Sequence, residues 1–351
     1  MMTTSSADNG LKAPFPWFGG KSRAAAEVSA ALGDIDTYCE PFAGSLAVLL
    51  QRQAVSHEVV NDADGWLVNF WRAMAAAPDE VAEWCNWPVS ELDLTARHVW
   101  LLNKGPQLKA TMEADPHAYD AKAAGWWVWG ICSWIGGGWC CGDGPWQVNE
   151  TKEGPRLVNR KMPDLFAGKG VNRQMPALFA GNGVNRQMPL LGVANGVNRQ
   201  MPVLSVANGV NGWFHALAAR LRNVKVLCGD FDRVLGDSAL RVNATSRGIA
   251  GVLLDPPYPA GVNQSGFYAG CPGSSSEPWD RALAWAVENG NRDRLRIIVC
   301  GYEGMWSPPA GWTVRLWDNL AGYRRGAGQR QEVLWCSPHC VEPYKRQLEL
   351  F

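Results

Sequence analysis

A chain of 351 residues with 33 basic and 33 acidic side chains has no net formal charge, so any attraction to a nucleic acid must come from local basic patches rather than the whole surface. Hydrophobic residues make up 47%, enough for a packed core, yet Met1 to Lys12 lacks the apolar centre of a signal peptide and no later run is long enough to span a bilayer. A cytoplasmic protein of prokaryotic or phage-encoded style is expected, with its ten cysteines as thiols rather than disulfides.

In chain order, Pro14-Phe15-Pro16-Trp17-Phe18-Gly19-Gly20-Lys21-Ser22-Arg23 leads into a helical stretch from Ser22 to Leu32, with Gly33 as its stop. Thr37 to Phe42, through Cys39-Glu40-Pro41-Phe42, is a β-prone run that ends at Gly44, and Ser45 to Gln53 has helical composition. That strand, tight turn and helix bring backbone close to a nucleotide-like ligand. His57 to Val60 reads as a second strand presenting Asp62, a carboxylate placed for ribose hydroxyls as in dinucleotide folds. Asp62 also suits the N-cap of a helix starting near Gly65, and the two roles are compatible.

The middle of the chain, about residues 73 to 212, is the expected seat of substrate choice. Trp126, Trp127, Trp129, Trp134, Trp139 and Trp146 crowd around Ile135-Gly136-Gly137-Gly138. These rings form a small aromatic core, with one or two near the glycines free to fill the gap left by a displaced base. Beyond Gly154 a unit recurs: Val158-Asn159-Arg160-Lys161-Met162-Pro163 returns as Val171-Asn172-Arg173-Gln174-Met175-Pro176 and again from Val184 and Val197, 13 residues apart each time, with a partial start at Val210. One proline and one glycine-bearing turn signal per unit argue against continuous helix and for a short-coil solenoid or a string of turns. Arg160, Arg173, Arg186 and Arg199 stand at the same point of each unit. Stacked units would line them along a phosphate backbone; otherwise the array is a tolerated surface duplication.

Val224-Lys225-Val226-Leu227-Cys228-Gly229-Asp230-Phe231 repeats the strand-then-acid pattern, and Leu253-Leu254-Asp255-Pro256-Pro257-Tyr258 carries the chemistry. The exocyclic amine of a base is a poor nucleophile because its lone pair is delocalised into the ring. The carboxylate of Asp255 and the carbonyl of Pro256 can accept its two N–H groups and draw that pair back onto nitrogen. Pro256 and Pro257 stiffen the loop and remove two donors, and Tyr258 offers a face for stacking. A base inside a duplex cannot reach such a pocket, so the nucleotide must be flipped out. Asp-Pro-Pro-Tyr alone is equally a turn after a buried strand. Further on, Arg296 to Cys300 reads as another strand and Thr313 to Trp317 with Glu332 to Cys336 as a closing antiparallel pair. Between them, the basic glycine-rich loop Tyr323 to Arg330 offers Arg324, Arg325 and Arg330 to phosphates or to solvent.

The segments at Pro14–Arg23, Cys39–Ser45 and Val59–Asp64, in this order ahead of Asp-Pro-Pro-Tyr, resemble the Dam-like (alpha-group) DNA adenine-N6 methyltransferases. The resemblance covers roughly residues 12 to 72 and 213 to 351. It implies an α/β fold, a Rossmann-like S-adenosylmethionine-dependent methyltransferase sheet with helices on both faces, and an inserted target-recognition region at 73–212 holding the repeat array at 158–209. S-adenosyl-L-methionine is the implied cofactor, bordered by Trp17, Gly19, Gly20, Lys21, Glu40, Pro41, Phe42, Gly44, Asp62, Asp230, Phe231 and Asp255. Lys21 is placed near the cofactor's methionine end and the target base, with an ordinary solvated lysine as the alternative. One departure is plain: the family carries a second glycine two residues after Gly44, where this chain has Leu46, so the turn holds a larger side chain beside the cofactor or angles it away.

The expected activity is direct methyl transfer to the N6 amine of a flipped adenine in double-stranded DNA, with Asp255, Pro256, Pro257 and Tyr258 as the catalytic set and Phe267 and Tyr268 nearby. No cysteine nucleophile is needed. No metal is expected, since Cys132, Cys140 and Cys141, or Cys336, His339 and Cys340, lack paired spacing and a fourth ligand. Three alternatives stand beside it: cytosine-N4 methylation, transfer of a larger or modified group to adenine, and a non-catalytic DNA-binding protein on the same fold. A restriction-enzyme partner or none, and any oligomeric state, agree with the sequence; no membrane partner does.

Overall fold

The computed structural model describes residues 11–17, 19–134, 139–140, 146–151, 154–159, 209–243, 245, 247–259, 277–317 and 331–342, with the backbone alone for 146–159 and 209–210. The expected Rossmann-like α/β sheet is what the chain forms. Its strands are β1 (Thr37–Glu40), β2 (His57–Asp62), β5 (Val224–Cys228), β6 (Ala250–Leu254), β7 (Leu295–Tyr302), β8 (Thr313–Leu316) and β9 (Glu332–Cys336). A separate antiparallel hairpin joins β3 (Trp146–Thr151) to β4 (Gly154–Asn159).

The spatial order is β5-β2-β1-β6-β7-β9-β8. From β5 to β7 the pairings are parallel; β9 runs antiparallel to β7 and to β8, as the closing pair was expected to do. The central parallel strands read as continuous apolar runs because helices cover both faces. Strand alternation sorts their side chains. Tyr38, Val60, Leu253 and Ile298 enter one core with α1 (Ala25–Leu32), α3 (Gly65–Ala76) and α7 (Gly209–Leu221). Cys39, Val59, Val252, Ile297 and Val299 enter the other, under α9 (Glu277–Asn289). Each such Val, Leu or Ile contributes about 1.5–3 kcal/mol by leaving water.

The first core also takes in α4 (Pro78–Cys85), α5 (Glu91–Ala114) and α6 (Ala121–Ser133), which pack on α3 and α7. Their starts follow from local chemistry. Pro78 sits in the first turn of α4, Ser90 Oγ accepts from the Asp93 N–H at α5, and Asp120 Oδ1 accepts from the Ala123 N–H at α6. Trp127, Trp129, Trp134 and Trp139 are buried, so the aromatic core accounts for them; Gly130 leaves the room that the Trp139 ring occupies. Residues 135–138 and, from Arg160 on, the repeat array lie outside the described residues. Among the described residues no helix is long and apolar enough to cross a membrane.

Candidate functional site

Successive strands run outward from β1 to β5 in one direction and from β6 to β9 and β8 in the other, so the order reverses between β1 and β6. Crevices at such a reversal, outside the carboxyl ends of parallel strands, are where open α/β sheets bind ligands. Glu40, Asp62, the Gly229-Asp230 turn, Asp255 and Tyr302 all come from these ends. Because β9 runs the other way, its first residue, Glu332, arrives at the same edge, in register with Tyr302.

Asp255 follows β6 at the reversal. Its Oδ2 lies 2.9 Å from Lys21 Nζ, and its Oδ1 accepts from the Tyr258 hydroxyl at 3.3 Å. Lys21 is buried, not solvated, and also donates to the Gly19 carbonyl at 2.7 Å. Gly19 has φ +74, a left-handed value open to glycine, which turns that carbonyl toward the ammonium. Burial works to lower the Lys21 ammonium, but the attraction of Asp255, with smaller help from Tyr258, Cys300 and Glu332, outweighs it and holds the group well above its ordinary value. Pro256 is buried, Pro257 and Tyr258 are partly so, and the Tyr258 ring packs edge-on against Trp279 and Tyr302 at 5.6 and 5.1 Å. The loop is therefore stiff, with one ionised donor and one carboxylate at its head.

The turn after β1 is pinned from three sides. The Gly44 N–H donates to Asp62 Oδ2 at 3.0 Å, its carbonyl accepts from Trp71 Nε1 at 3.0 Å, and a Cβ on it would stand 2.7 Å from Trp17 Nε1. Gly20 comes close in turn, since a Cβ there would meet Ser45 Oγ at 3.3 Å. Leu46 takes φ 52 and ψ 29 and is wholly buried, so its side chain points into the core and not at the turn's open face. Asp62 spends Oδ1 on the Asp64 N–H at 2.9 Å; burial and the neighbouring Asp64 push its carboxyl up to about 6. The helix N-cap is Asp64, which accepts from Trp66 and Leu67, so the cap considered for Asp62 falls two residues later.

Glu40 is buried at the end of β1, where Oε1 accepts from the Tyr38 hydroxyl at 2.6 Å and from the Leu49 N–H at 2.9 Å. Burial pushes its carboxyl up to about 7 against the pull of those bonds. Behind it the Arg52 guanidinium lies 4.1 Å over the Tyr38 ring, and Arg220 forks onto Glu58, both in the interior. Pro41 and Phe42 continue the turn, and the Phe42 ring lies 4.8 Å from that of Phe231 at a tilt of 32°. Asp230, just before Phe231, is gripped by both Arg281 nitrogens at 2.9 and 3.0 Å, which holds its carboxyl below the usual range. The same guanidinium sits 4.8 Å over the Phe231 ring.

The described cofactor and catalytic candidates, Trp17 through Tyr258, thus line one edge of the sheet. Arg324, Arg325, Arg330, Arg173, Arg186, Arg199 and Arg160, with Phe267 and Tyr268, lie outside the described residues. Sequence reading passed over Asn61, whose Nδ2 bonds the Pro41 carbonyl at 3.2 Å and the Gly229 carbonyl at 3.0 Å, tying the ends of β1 and β5 together. It also passed over Arg281, Tyr302 and Glu332. The one cue for Glu332 was a charged residue opening an otherwise apolar strand.

Residues 17–94 match the family model of the D12 class N6 adenine-specific DNA methyltransferases. The match takes in Lys21, the Gly44 turn, Asp62 and the helices through α4. No curated protein matches the chain.

Proposed function

We propose, on the premise that this chain is an adenine-specific DNA methyltransferase of the D12 class, that it uses S-adenosyl-L-methionine and acts on an adenine flipped out of double-stranded DNA. The observation that carries this reading is the Lys21–Asp255–Tyr258 cluster standing at the strand reversal beside the Gly44 turn.

The residues present fit the cofactor. The Gly44 turn, with no Cβ, lets the Trp17 indole close on its backbone, Phe42 and Phe231 offer an apolar wall, and the carboxylates of Glu40, Asp62 and Asp230 suit its ammonium, hydroxyl and amino groups. When bound, it supplies an electrophilic methyl on a sulfonium. Asp255 and the Pro256 carbonyl accept the two N–H bonds of the adenine amine and return its lone pair to nitrogen. Transfer of that methyl would leave the amine with a surplus proton, which Asp255 would take up and pass to solvent. Tyr258 gives up its 3.3 Å bond to Asp255 as the base stacks on its ring, at little cost because that bond is long. Lys21 stays charged and holds the Asp255 side chain in place.

The same proposal divides the chain into a methyltransferase part, 12–72 with 213–351, and a target-recognition insertion, 73–212. The packing of α4–α6 on α3 and α7 supports an insertion that starts from a surface continuous with the catalytic part. Cytoplasmic action, with or without a restriction partner, belongs to this reading too.

The test is purified protein with unmethylated DNA and methyl-labelled S-adenosylmethionine, followed by mass spectrometry of the nucleosides. Labelled N6-methyladenosine is expected, and Asp255→Ala should abolish it while DNA binding persists. Labelled N4-methylcytosine moves the target base, and DNA binding without label in the unaltered protein overturns the catalytic reading.

A further inference from the structure

Glu40 stands at one point of a closed ring of interior contacts. Tyr38 lies two residues earlier on β1, on the same face of the strand, and its hydroxyl donates to Glu40 Oε1 at 2.6 Å. The Arg52 guanidinium lies 4.1 Å from the centre of the Tyr38 ring and 3.7 Å from Glu58 Oε1. Arg220 forks onto both oxygens of Glu58 and donates to the Leu49 carbonyl at 2.8 Å. The Leu49 N–H, in α2 (Ala47–Gln51), closes the ring by donating to Glu40 Oε1 at 2.9 Å. Tyr38, Glu40, Leu49, Arg52 and Glu58 are all buried.

Both donors land on the same oxygen. Oε2 of Glu40 accepts no bond among the described residues, yet it is not one of the buried side-chain atoms sealed away without a partner. Glu40 is the last residue of β1, and β1 runs parallel to β6 with Cys39 opposite Val252, so Glu40 and Asp255 leave the sheet at neighbouring strand ends. The ring therefore commits Oε1 to the protein and leaves Oε2 for whatever occupies the crevice. A carboxylate oxygen in that state suits a charged N–H donor, since such bonds are roughly twice as strong as neutral ones. On the function proposed above, on which this inference rests, the donor is the α-ammonium of S-adenosyl-L-methionine.

We propose that Tyr38 is a positioning residue for the amino-acid end of the cofactor, its hydroxyl fixing Glu40 Oε1 so that Oε2 is left to receive the α-ammonium. Tyr38 touches no ligand in this role; it acts through Glu40, and the Arg52 guanidinium on its ring holds the ring in turn. The arrangement links cofactor capture to pH, because the ammonium requires an ionised Glu40. Burial pushes that carboxyl up to about 7, the Tyr38 and Leu49 donors and the Arg52 charge pull it down, and the Asp255 charge after β6 adds to the rise. The other groups that feel Glu40 are the thiols of Cys39 on β1 and Cys300 on β7, which burial keeps neutral. Binding should therefore strengthen as pH rises toward neutrality, with a proton released from Glu40 as the ammonium arrives.

The experiment measures binding of S-adenosyl-L-methionine and of 5′-methylthioadenosine, which keeps the nucleoside but lacks the amino-acid end, to unaltered protein, Tyr38→Phe and Glu40→Gln. Calorimetry between about pH 5.5 and 7.5 stays below the range in which an α-amino group loses its own proton. Tyr38→Phe keeps the ring under Arg52 and removes only the hydroxyl. In unaltered protein the affinity for S-adenosyl-L-methionine should rise with pH up to about 7. In Tyr38→Phe that rise should move about one pH unit higher, as expected when an ionised carboxylate loses a hydrogen bond, and affinity near pH 6 should fall about tenfold. 5′-Methylthioadenosine should bind both proteins within about twofold and without the pH dependence, and Glu40→Gln should weaken S-adenosyl-L-methionine alone and flatten its profile. An unmoved profile in Tyr38→Phe, or equal losses for the two ligands, overturns the proposal, because a purely structural role weakens both alike. A flat S-adenosyl-L-methionine profile in the unaltered protein overturns it without any variant. If the unaltered protein binds neither ligand, the cofactor assignment proposed above fails and this inference with it, whereas binding of both with an unmoved profile overturns the inference alone.

Discussion

Lys21 Nζ and Asp255 Oδ2, contributed by the loop before the first helix and the loop after the sixth strand, meet at 2.9 Å with the lysine buried and the aspartate side chain 22% exposed. This ion pair joins the two sequence motifs into one site. Removing either partner strands the other charge in the interior, which costs about 3–5 kcal/mol for a fully buried pair and less here because Asp255 keeps some solvent. Lys21→Met and Asp255→Asn are each expected to lower the urea midpoint, by roughly 1–3 kcal/mol on that scale. The double variant should lose less than the sum of the two. Additive losses in denaturant titrations would show that the pair is not coupled.

Stability should fall as pH rises through the neutral range. Glu40 and Asp62 titrate near 7 and 6 in the folded chain, both raised by burial, against ordinary values near 4 when unfolded. Between these values the unfolded chain has already released protons that the native chain still holds, so each unit of pH removes stability. The contribution is complete below about pH 4 and lost above about pH 7. Urea midpoints for the protein without cofactor should therefore drop between pH 5 and 8, by about 2–3 kcal/mol for Glu40 alone. Glu40→Gln, whose amide oxygen still accepts from Tyr38 and Leu49, should flatten the dependence. An unchanged slope in that variant would assign the effect to other groups.

Leu46→Gly tests how the turn tolerates its departure from the glycine expected there. The left-handed backbone at Leu46 costs about 1–2 kcal/mol that glycine would recover. The wholly buried side chain contributes more, since deleting a core leucine down to alanine costs about 2–5 kcal/mol. A net loss of about 2 kcal/mol is expected, read as a drop in thermal midpoint. A gain would falsify the view that this side chain serves the core.

Gly44→Ala should weaken both stability and binding. The new Cβ would lie 2.7 Å from Trp17 Nε1 at a residue with φ +47, so the turn or the indole must shift. Strain of this kind costs about 1–3 kcal/mol. On the function proposed above, affinity for S-adenosyl-L-methionine, measured by calorimetry, should fall at least tenfold, and Trp17→Ala in the same chain should return part of it. If the double variant binds no better than Gly44→Ala, the clash with Trp17 is not the cause.

Much of the fold was legible in the sequence because its cues are local. The strands at Thr37, His57, Val224 and Arg296 appear within a few residues of their expected bounds, since apolar runs bounded by Gly, Pro and Asp carry that information themselves. Gly33 does end the first helix, and the closing antiparallel pair stands where expected. The N-cap was displaced from Asp62 to Asp64, because two acids in one turn compete for it and only the backbone direction after β2 decides between them.

By itself, the sequence determined the parts: a carboxylate with two prolines and a tyrosine after an apolar strand, a glycine turn after the first strand, a lysine ahead of the first helix. Only the tertiary structure decided which of these parts face each other. The burial of Lys21 on Asp255, the inward turn of Leu46, the grip of Arg281 on Asp230 and the arrival of Glu332 beside Tyr302 all depend on the order β5-β2-β1-β6-β7-β9-β8 and on the antiparallel run of β9. The physical reason is that propensity and turn chemistry act over a few residues, whereas contacts between strand ends far apart in the chain are set by how the whole sheet buries its apolar faces.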